Sequence, residues 1–166
     1  MASDMFLKIK GIEGESTDDK HKGEIEIQHY SHGVSQPTSA VASSSGGGTT
    51  GRCAHADFTI TKALDKATPL LSQKCSTGEH IDEIVLTINR ASGEKGGLKV
   101  PYMVYKLTNV VVSNVAVNGS QAGGEPTENV SLNYGKIEWE YTKQDRKGGA
   151  GGGKTTGSWN LEKNKP

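Results

Sequence analysis

The glycine-rich segment near the C-terminus contains the letters of a phosphate-binding loop. Gly148 to Thr155 read G-G-A-G-G-G-K-T, which fits the pattern G-x-x-x-x-G-K-[ST]. In a nucleotide hydrolase, Lys154 would reach the β- and γ-phosphates and Thr155 would hold magnesium. That chemistry needs a helix directly after the loop, because the helix N-terminus faces the phosphates. Gly157 and β-forming residues follow instead. We interpret the match as a product of glycine-rich composition and expect no nucleotide binding.

Histidines and cysteines at short spacings could form a metal site, and six of them lie in three pairs: His29 with His32, Cys53 with His55, and Cys75 with His80. Residues three apart on a strand point to opposite faces, which separates the first pair. The second pair shares a strand face, but no common zinc spacing joins it to the third. No G-x-S-x-G elbow is present either. We expect no metal, cofactor or catalytic set. A disulfide between the two cysteines stays open, with two buried thiols of a reducing cytosol as the simpler interpretation.

Charge and hydropathy exclude several functional classes. The 166 residues hold 19 Lys plus Arg and 19 Asp plus Glu, so the formal net charge is zero. A protein that binds nucleic acid needs a basic excess, as does one that binds an anionic membrane. No apolar run approaches the roughly 20 residues of a membrane-spanning helix, so no membrane insertion is expected. Met1 to Lys10 lack a basic region followed by an apolar one, which predicts synthesis in the cytosol without a cleaved secretion signal.

Alternation of apolar and polar residues predicts seven or eight strands, the clearest beginning near residues 5, 24, 54, 81, 99, 129 and 158. The one predicted helix has Thr68 as its N-cap, Pro69 at its first position and Gly78 at its end. Strand connections are mostly non-helical, so antiparallel pairing is expected. The sequence predicts a mainly β fold over 1–166 as a single domain: an antiparallel β-barrel or two packed sheets with one flanking α-helix.

Two segments depart from this pattern. The inward positions change parity between Tyr134 and Ile137, which predicts a β-bulge beside Gly135. Residues 38–51 are rich in Ser and Gly, and they form either a flexible linker or a long hairpin arm. Composition alone favours the linker.

A series of short motifs runs in order from the first strand to the last. They include M-F-L-K-I at 5–9, Y-S-H-G-V-S-Q at 30–36, D-K-A-T-P at 65–69, L-N-Y at 132–134 and G-S-W-N at 157–160. Their order and spacing resemble the haemolysin-coregulated protein (Hcp) family, which forms the tube of bacterial type VI secretion. The resemblance covers nearly the whole chain.

This resemblance implies a non-enzymatic β-barrel that assembles into hexameric rings. The rings would stack into a tube that a contractile sheath drives outward, with a spike protein at its tip and effector proteins in its lumen. The protein would be cytoplasmic first and extracellular after secretion. Ser31 matches the family position that contacts cargo, and alternation places it opposite Tyr30 and His32. His32 stands where the family often has Trp, which makes that second face more polar.

Ring formation needs two complementary patches on each subunit. Under the resemblance, residues 38–51 become an ordered interface arm rather than a linker. The candidate ring or stacking contacts are Gln36, Pro37, Ser43, Ser44, Gly46, Gly47 and Gly48. The alternative from the residues alone is a stand-alone β-sandwich recognition module, such as a lectin or adhesin, which would be monomeric.

Overall fold

The computed structural model describes residues 3–38, 51–91, 99–144 and 152–166. These ranges contain ten strands and one helix, joined by loops and turns. In chain order they are β1 (Ser3–Ile9), β2 (Ile25–Ile27), β3 (His29–Ser31), β4 (Val34–Ser35), β5 (Ala54–His55), β6 (Phe58–Ala63), α1 (Thr68–Thr77), β7 (Ile81–Ala91), β8 (Lys99–Asn118), β9 (Thr127–Thr142) and β10 (Lys154–Asn160). All the described strand pairings are antiparallel.

Eight strands form one curled sheet that nearly closes into a barrel. Its order is β2-β1-β7-β8-β9-β6-β3, and β10 pairs with β9 beside this path. The two end strands, β2 and β3, are separated in sequence only by Gln28, whose N–H donates to the Thr61 carbonyl in β6 (2.8 Å). The chain therefore passes from one edge of the sheet to the other within a single residue. The predicted mainly β, antiparallel barrel-like fold with one helix is confirmed.

Two short strands extend beyond the barrel. β4 and β5 pair only with each other, through Val34 with His55 and Ser35 with Ala54. Because β4 follows β3 and β5 precedes β6, this ladder prolongs the β3–β6 pair. We call residues 32–38 and 51–57 the arm base.

Alternate strand positions fill the barrel interior. In β6, Phe58, Ile60 and Lys62 are buried, whereas Thr59 and Thr61 are half-buried on the opposite side. Hydrophobic side chains from the other elements with no exposed surface are Ile25, Leu71, Ile84, Val110, Val130, Leu132 and Ile137. Burying one large aliphatic side chain contributes about 1.5–3 kcal/mol. The same alternation decides which side chains face outward, and thereby builds the outer surfaces described below.

The predicted bulge beside Gly135 is wrong, although the parity change is real. The register between β8 and β9 continues past Gly135 without an extra residue. The buried positions of β8 change parity at the facing residue, Asn109, whose φ is +54°, so the two strands change phase together. The Gly135 carbonyl accepts a hydrogen bond from Leu161 N–H (2.8 Å). Register shifts occur instead at Ile88–Asn89 and Val112–Asn114.

Helix α1 begins one position earlier than predicted. Its N-cap is Ala67, which has no capping side chain of its own. The Asp65 carboxylate accepts a hydrogen bond from Ala67 N–H (2.9 Å), while the Thr68 hydroxyl takes part in a buried cluster. The end is as predicted, since Gly78 has a φ of +66° and its N–H donates to the Lys74 carbonyl. No helix in the described ranges has the length and hydropathy to cross a membrane.

Candidate functional site

A row of small polar side chains crosses four neighbouring strands on the outside of the barrel. The register aligns Ser31 of β3 with Thr59 of β6, Thr59 with Ser131 of β9, and Ser131 with Asn114 of β8. The Thr59 and Ser131 hydroxyls share a hydrogen bond of 3.2 Å. Ser31 is exposed, while its neighbours Tyr30 and His32 are half-buried toward the interior. The predicted orientation of Ser31 therefore agrees with its exposure.

The adjacent row has the same character. It aligns His29 with Thr61, Asn129 and Ala116. The Thr61 hydroxyl donates to the Asn129 side-chain oxygen (2.6 Å). Apart from His29, the side chains in this row are not ionisable, and none of them is a large apolar group.

One carboxylate borders the two rows. Asp57 accepts a hydrogen bond from the Ser113 hydroxyl (2.6 Å) and another from the Asn133 amide (2.9 Å). Each carboxylate oxygen therefore has a neutral donor from β8 or β9. We call the combined surface the polar wall, and its members are His29, Ser31, Asp57, Thr59, Thr61, Ser113, Asn114, Ala116, Asn129, Ser131 and Asn133.

The outer surface of β1, β7 and the remaining parts of β8 and β9 is different. The register aligns Lys8 with Val85, Lys106 and Glu138. Three ion pairs lie on this surface: Lys106–Glu83 at 2.8 Å, Lys136–Glu138 at 3.4 Å and Lys154–Glu140 at 2.7 Å. Exposed pairs of this kind contribute little stability. We call this surface the charged wall, and its members are Lys8, Glu83, Lys106, Lys136, Glu138, Glu140 and Lys154.

A buried ion cluster, which the sequence analysis missed, fixes β6, β9 and α1 relative to one another. Lys62 and Glu128 have no exposed surface, and Lys62 Nζ lies 2.6 Å from Glu128 Oε1 and 2.7 Å from Asp65 Oδ1. The Thr68 hydroxyl donates to Glu128 Oε1 (3.1 Å). The available signal was the parity of Lys62, which matches that of Phe58 and therefore points inward.

The predicted arm residues are only partly within the described ranges. Gln36 and Pro37 are exposed; the Gln36 amide donates to the Gly51 carbonyl, and Gly51 N–H donates to the Pro37 carbonyl (3.2 Å). These bonds join the two sides of the arm base. The remaining candidates, Ser43, Ser44, Gly46, Gly47 and Gly48, lie outside the described residues.

The cysteines are free and partly exposed, so the prediction of two buried thiols is wrong. Both lie where neighbouring elements cover only part of the side chain. Within 3–38, 51–91, 99–144 and 152–166, no three His, Cys, Asp or Glu side chains come together as metal ligands.

The C-terminal part of the phosphate-loop motif is a strand. Lys154 and Thr155 open β10, which continues to Asn160 where a phosphate-binding loop requires a helix. The Lys154 ammonium lies 2.7 Å from Glu140 Oε1. The first residues of the motif, 148–151, lie outside the described ranges.

His32 packs among aromatic rings of the barrel. Its ring centroid lies 5.4 Å from that of Phe58 and 6.3 Å from that of Trp139. The Tyr134 hydroxyl is 2.6 Å from His32 Nε2. The polar ring that His32 introduces therefore has a hydrogen-bond partner inside the aromatic cluster. The sequence could not predict this contact, because His32 and Tyr134 are 102 residues apart.

Comparison with known proteins identifies one family. Residues 6–141 match the family described as "Type VI secretion system effector, Hcp". The chain is 39% identical over 164 residues to protein hcp1 of Pseudomonas aeruginosa, covering 99% of this chain and 98% of that protein. It is 25% identical over 134 residues to the major exported protein of the same organism, covering 77% and 74% of the two chains.

Solved structures share the fold over nearly the full length. The structure of a type six secretion system protein matches with a TM-score of 0.90 and 32% identity, covering 99% of both chains. Hcp1 from Salmonella typhimurium matches with a TM-score of 0.77 and 30% identity, again over 99% of both chains.

Proposed function

Because this chain belongs to the Hcp family of type VI secretion proteins, we propose that it forms hexameric rings that stack into a tube and carry effector proteins in the lumen. Hcp proteins are structural components exported by that system rather than enzymes. In the proposed assembly, residues 1–166 are one domain and serve as the repeating unit.

The observation that carries the proposal is the contrast between the polar wall and the charged wall. A lumen that passes folded proteins should not trap them, so its lining needs neither a large apolar patch nor a strong field of one sign. The polar wall meets both conditions, with Asp57 as its one carboxylate. Its side chains are short, and several already form hydrogen bonds with one another. Contact with cargo therefore immobilises few additional side chains and costs little conformational entropy. Ser31 is an exposed member of this wall and our candidate for cargo contact.

Orientation of the remaining surfaces follows from that choice. With the polar wall toward the lumen, the charged wall faces outward, where the contractile sheath would enclose the tube. The spike protein would contact the terminal ring. The arm, residues 38–51 with Gln36 and Pro37 at its base, would supply contacts between rings, since a heterologous contact joins two different, complementary patches.

Native mass spectrometry of the full chain and of a variant that lacks residues 43–48 tests the assembly. We expect the full chain to give a species of six times the 17.6 kDa chain mass. The variant should keep the single ring and lose the multiples that correspond to stacked rings. Stacking that is unchanged in the variant would contradict the role of the arm. A monomer under all conditions would contradict the ring and favour a stand-alone recognition module.

A further inference from the structure

Two histidines of the arm base contact the same hydroxyl group of the barrel. His32 Nε2 lies 2.6 Å from Tyr134 Oη, and His55 Nδ1 lies 3.2 Å from it. The His32 ring stacks on Phe58 of β6, and the His55 ring stacks on Trp159 of β10 with centroids 6.5 Å apart. These two imidazoles therefore connect the arm base to three barrel strands.

Hydrogen-bond chemistry favours neutral rings in this arrangement. The phenol has one proton, and the 2.6 Å contact assigns it to His32 Nε2, while His55 Nδ1–H donates to the phenol oxygen. A proton added to His32 would turn the phenol proton toward the Ala56 carbonyl, a longer contact of 3.4 Å. It would also place a positive charge beside His55, whose ring centroid is 6.5 Å away.

Among the residues that the structure describes, the groups around the pair offer it no negative partner. Burial lowers the pKa of His32 and the neighbouring His55 lowers it further; burial also lowers the pKa of His55. Burial raises the pKa of Tyr134 to about 12, so the phenol stays neutral. The carboxylate of Asp57 faces the polar wall and binds donors there.

The other neighbours do not help either. Cys53 offers a thiol and not a carboxylate. Arg52, which donates to the Leu161 carbonyl (3.0 Å), adds positive charge at the arm base. Trp139 of β9 and Trp159 of β10 do not titrate.

We propose that His32 and His55 form an acid-sensitive latch, which holds the arm base on the barrel while both rings are neutral and releases it when they take up protons. The sign follows from linkage. Histidines with a lowered pKa in the folded state stabilise it above the ordinary histidine pKa of about 6.5. That stability is lost as the pH falls below this value. The latch is a property of the single chain, so it does not depend on the proposed ring.

The chain carries its own probe of the latch. Its two tryptophans, Trp139 and Trp159, both lie beside the histidine pair, at centroid distances of 6.3 Å from His32 and 6.5 Å from His55. We expect tryptophan emission of the full chain to shift to longer wavelength between pH 8 and pH 4.5, with one midpoint below about 6.5. The melting temperature should fall by about 3 °C or more over the same range.

A double variant, His32→Gln with His55→Asn, keeps side-chain amides near the two ring nitrogens but cannot take up protons. We expect this variant to lose the emission transition. The matched control is His29→Gln, which removes an exposed histidine of the polar wall and should keep the transition. If the double variant does not fold, hydrogen exchange of the unmodified chain gives the readout. Acidification should then reduce the protection of the amides at 32–35 and 54–57 more than that of amides elsewhere in the chain. An absent transition, one that persists in the double variant, or uniform acid exchange would overturn the latch.

Discussion

Replacing Lys62 by Met is expected to lower the free energy of unfolding by about 3–5 kcal/mol. The substitution leaves the Glu128 carboxylate without its counter-charge in a position with no exposed surface. Glu128 Oε2 has no hydrogen-bond partner among the described residues, so the Thr68 hydroxyl on Oε1 would be the one donor there that remains to the carboxylate. For a chain of this size the melting temperature should fall by on the order of 10 °C.

Urea denaturation of three variants checks this. Lys66→Met is the matched control, because Lys66 pairs with Glu13 on the surface at 3.2 Å and its loss should cost under about 1 kcal/mol. The double variant Lys62→Met with Glu128→Leu should recover much of the stability, since it removes both charges. A cost for Lys62→Met no larger than for Lys66→Met would show that water or relaxation compensates the buried carboxylate.

Replacing Ser31 by Glu is expected to reduce effector retention by about tenfold or more, which corresponds to at least about 1.4 kcal/mol of binding free energy. In the proposed ring, the change places six new negative charges around one circumference of the lumen. Acidic cargo surfaces would then face like charge, which costs several kcal/mol where water is excluded. The measurement is the amount of a co-expressed effector protein that remains with the rings through size-exclusion chromatography.

Two further variants separate this effect from a general loss of assembly. Thr108→Glu introduces the same charge beside the charged wall, where Thr108 aligns with Lys136, and should leave retention unchanged. Ser31→Ala removes the hydroxyl without adding charge and should reduce retention less than Ser31→Glu. Intact rings with equal retention in Ser31→Glu and Thr108→Glu would place cargo contact elsewhere.

Alternation was enough to predict most of the strands and the outward side of Ser31, because strand geometry imposes a period of two on every residue. It could not predict that the strand that begins near residue 24 divides at Gln28, since the division reflects a change of partner from β1 to β6. Partners distant in sequence leave no local pattern.

The missed features have the same cause. Thr68 looks like an N-cap, but its hydroxyl is needed by Glu128, which lies 60 residues away. The parity of Lys62 points inward, but a lysine is almost never fully buried unless it is paired. Its counter-ions therefore had to be known before a buried position could be predicted. His32 likewise acquires its meaning from Tyr134. Local geometry is readable from sequence, whereas polar clusters inside the barrel depend on tertiary contacts.

A three-dimensional electron-microscopy reconstruction of the assembled protein tests the central claim most directly. Traced strands would show which barrel face lines the central channel. The account predicts six copies per ring, with the polar wall and Ser31 on the lumen and the charged wall outside. A ring whose channel is lined by Lys106 and Glu138, or particles without a ring, would contradict it.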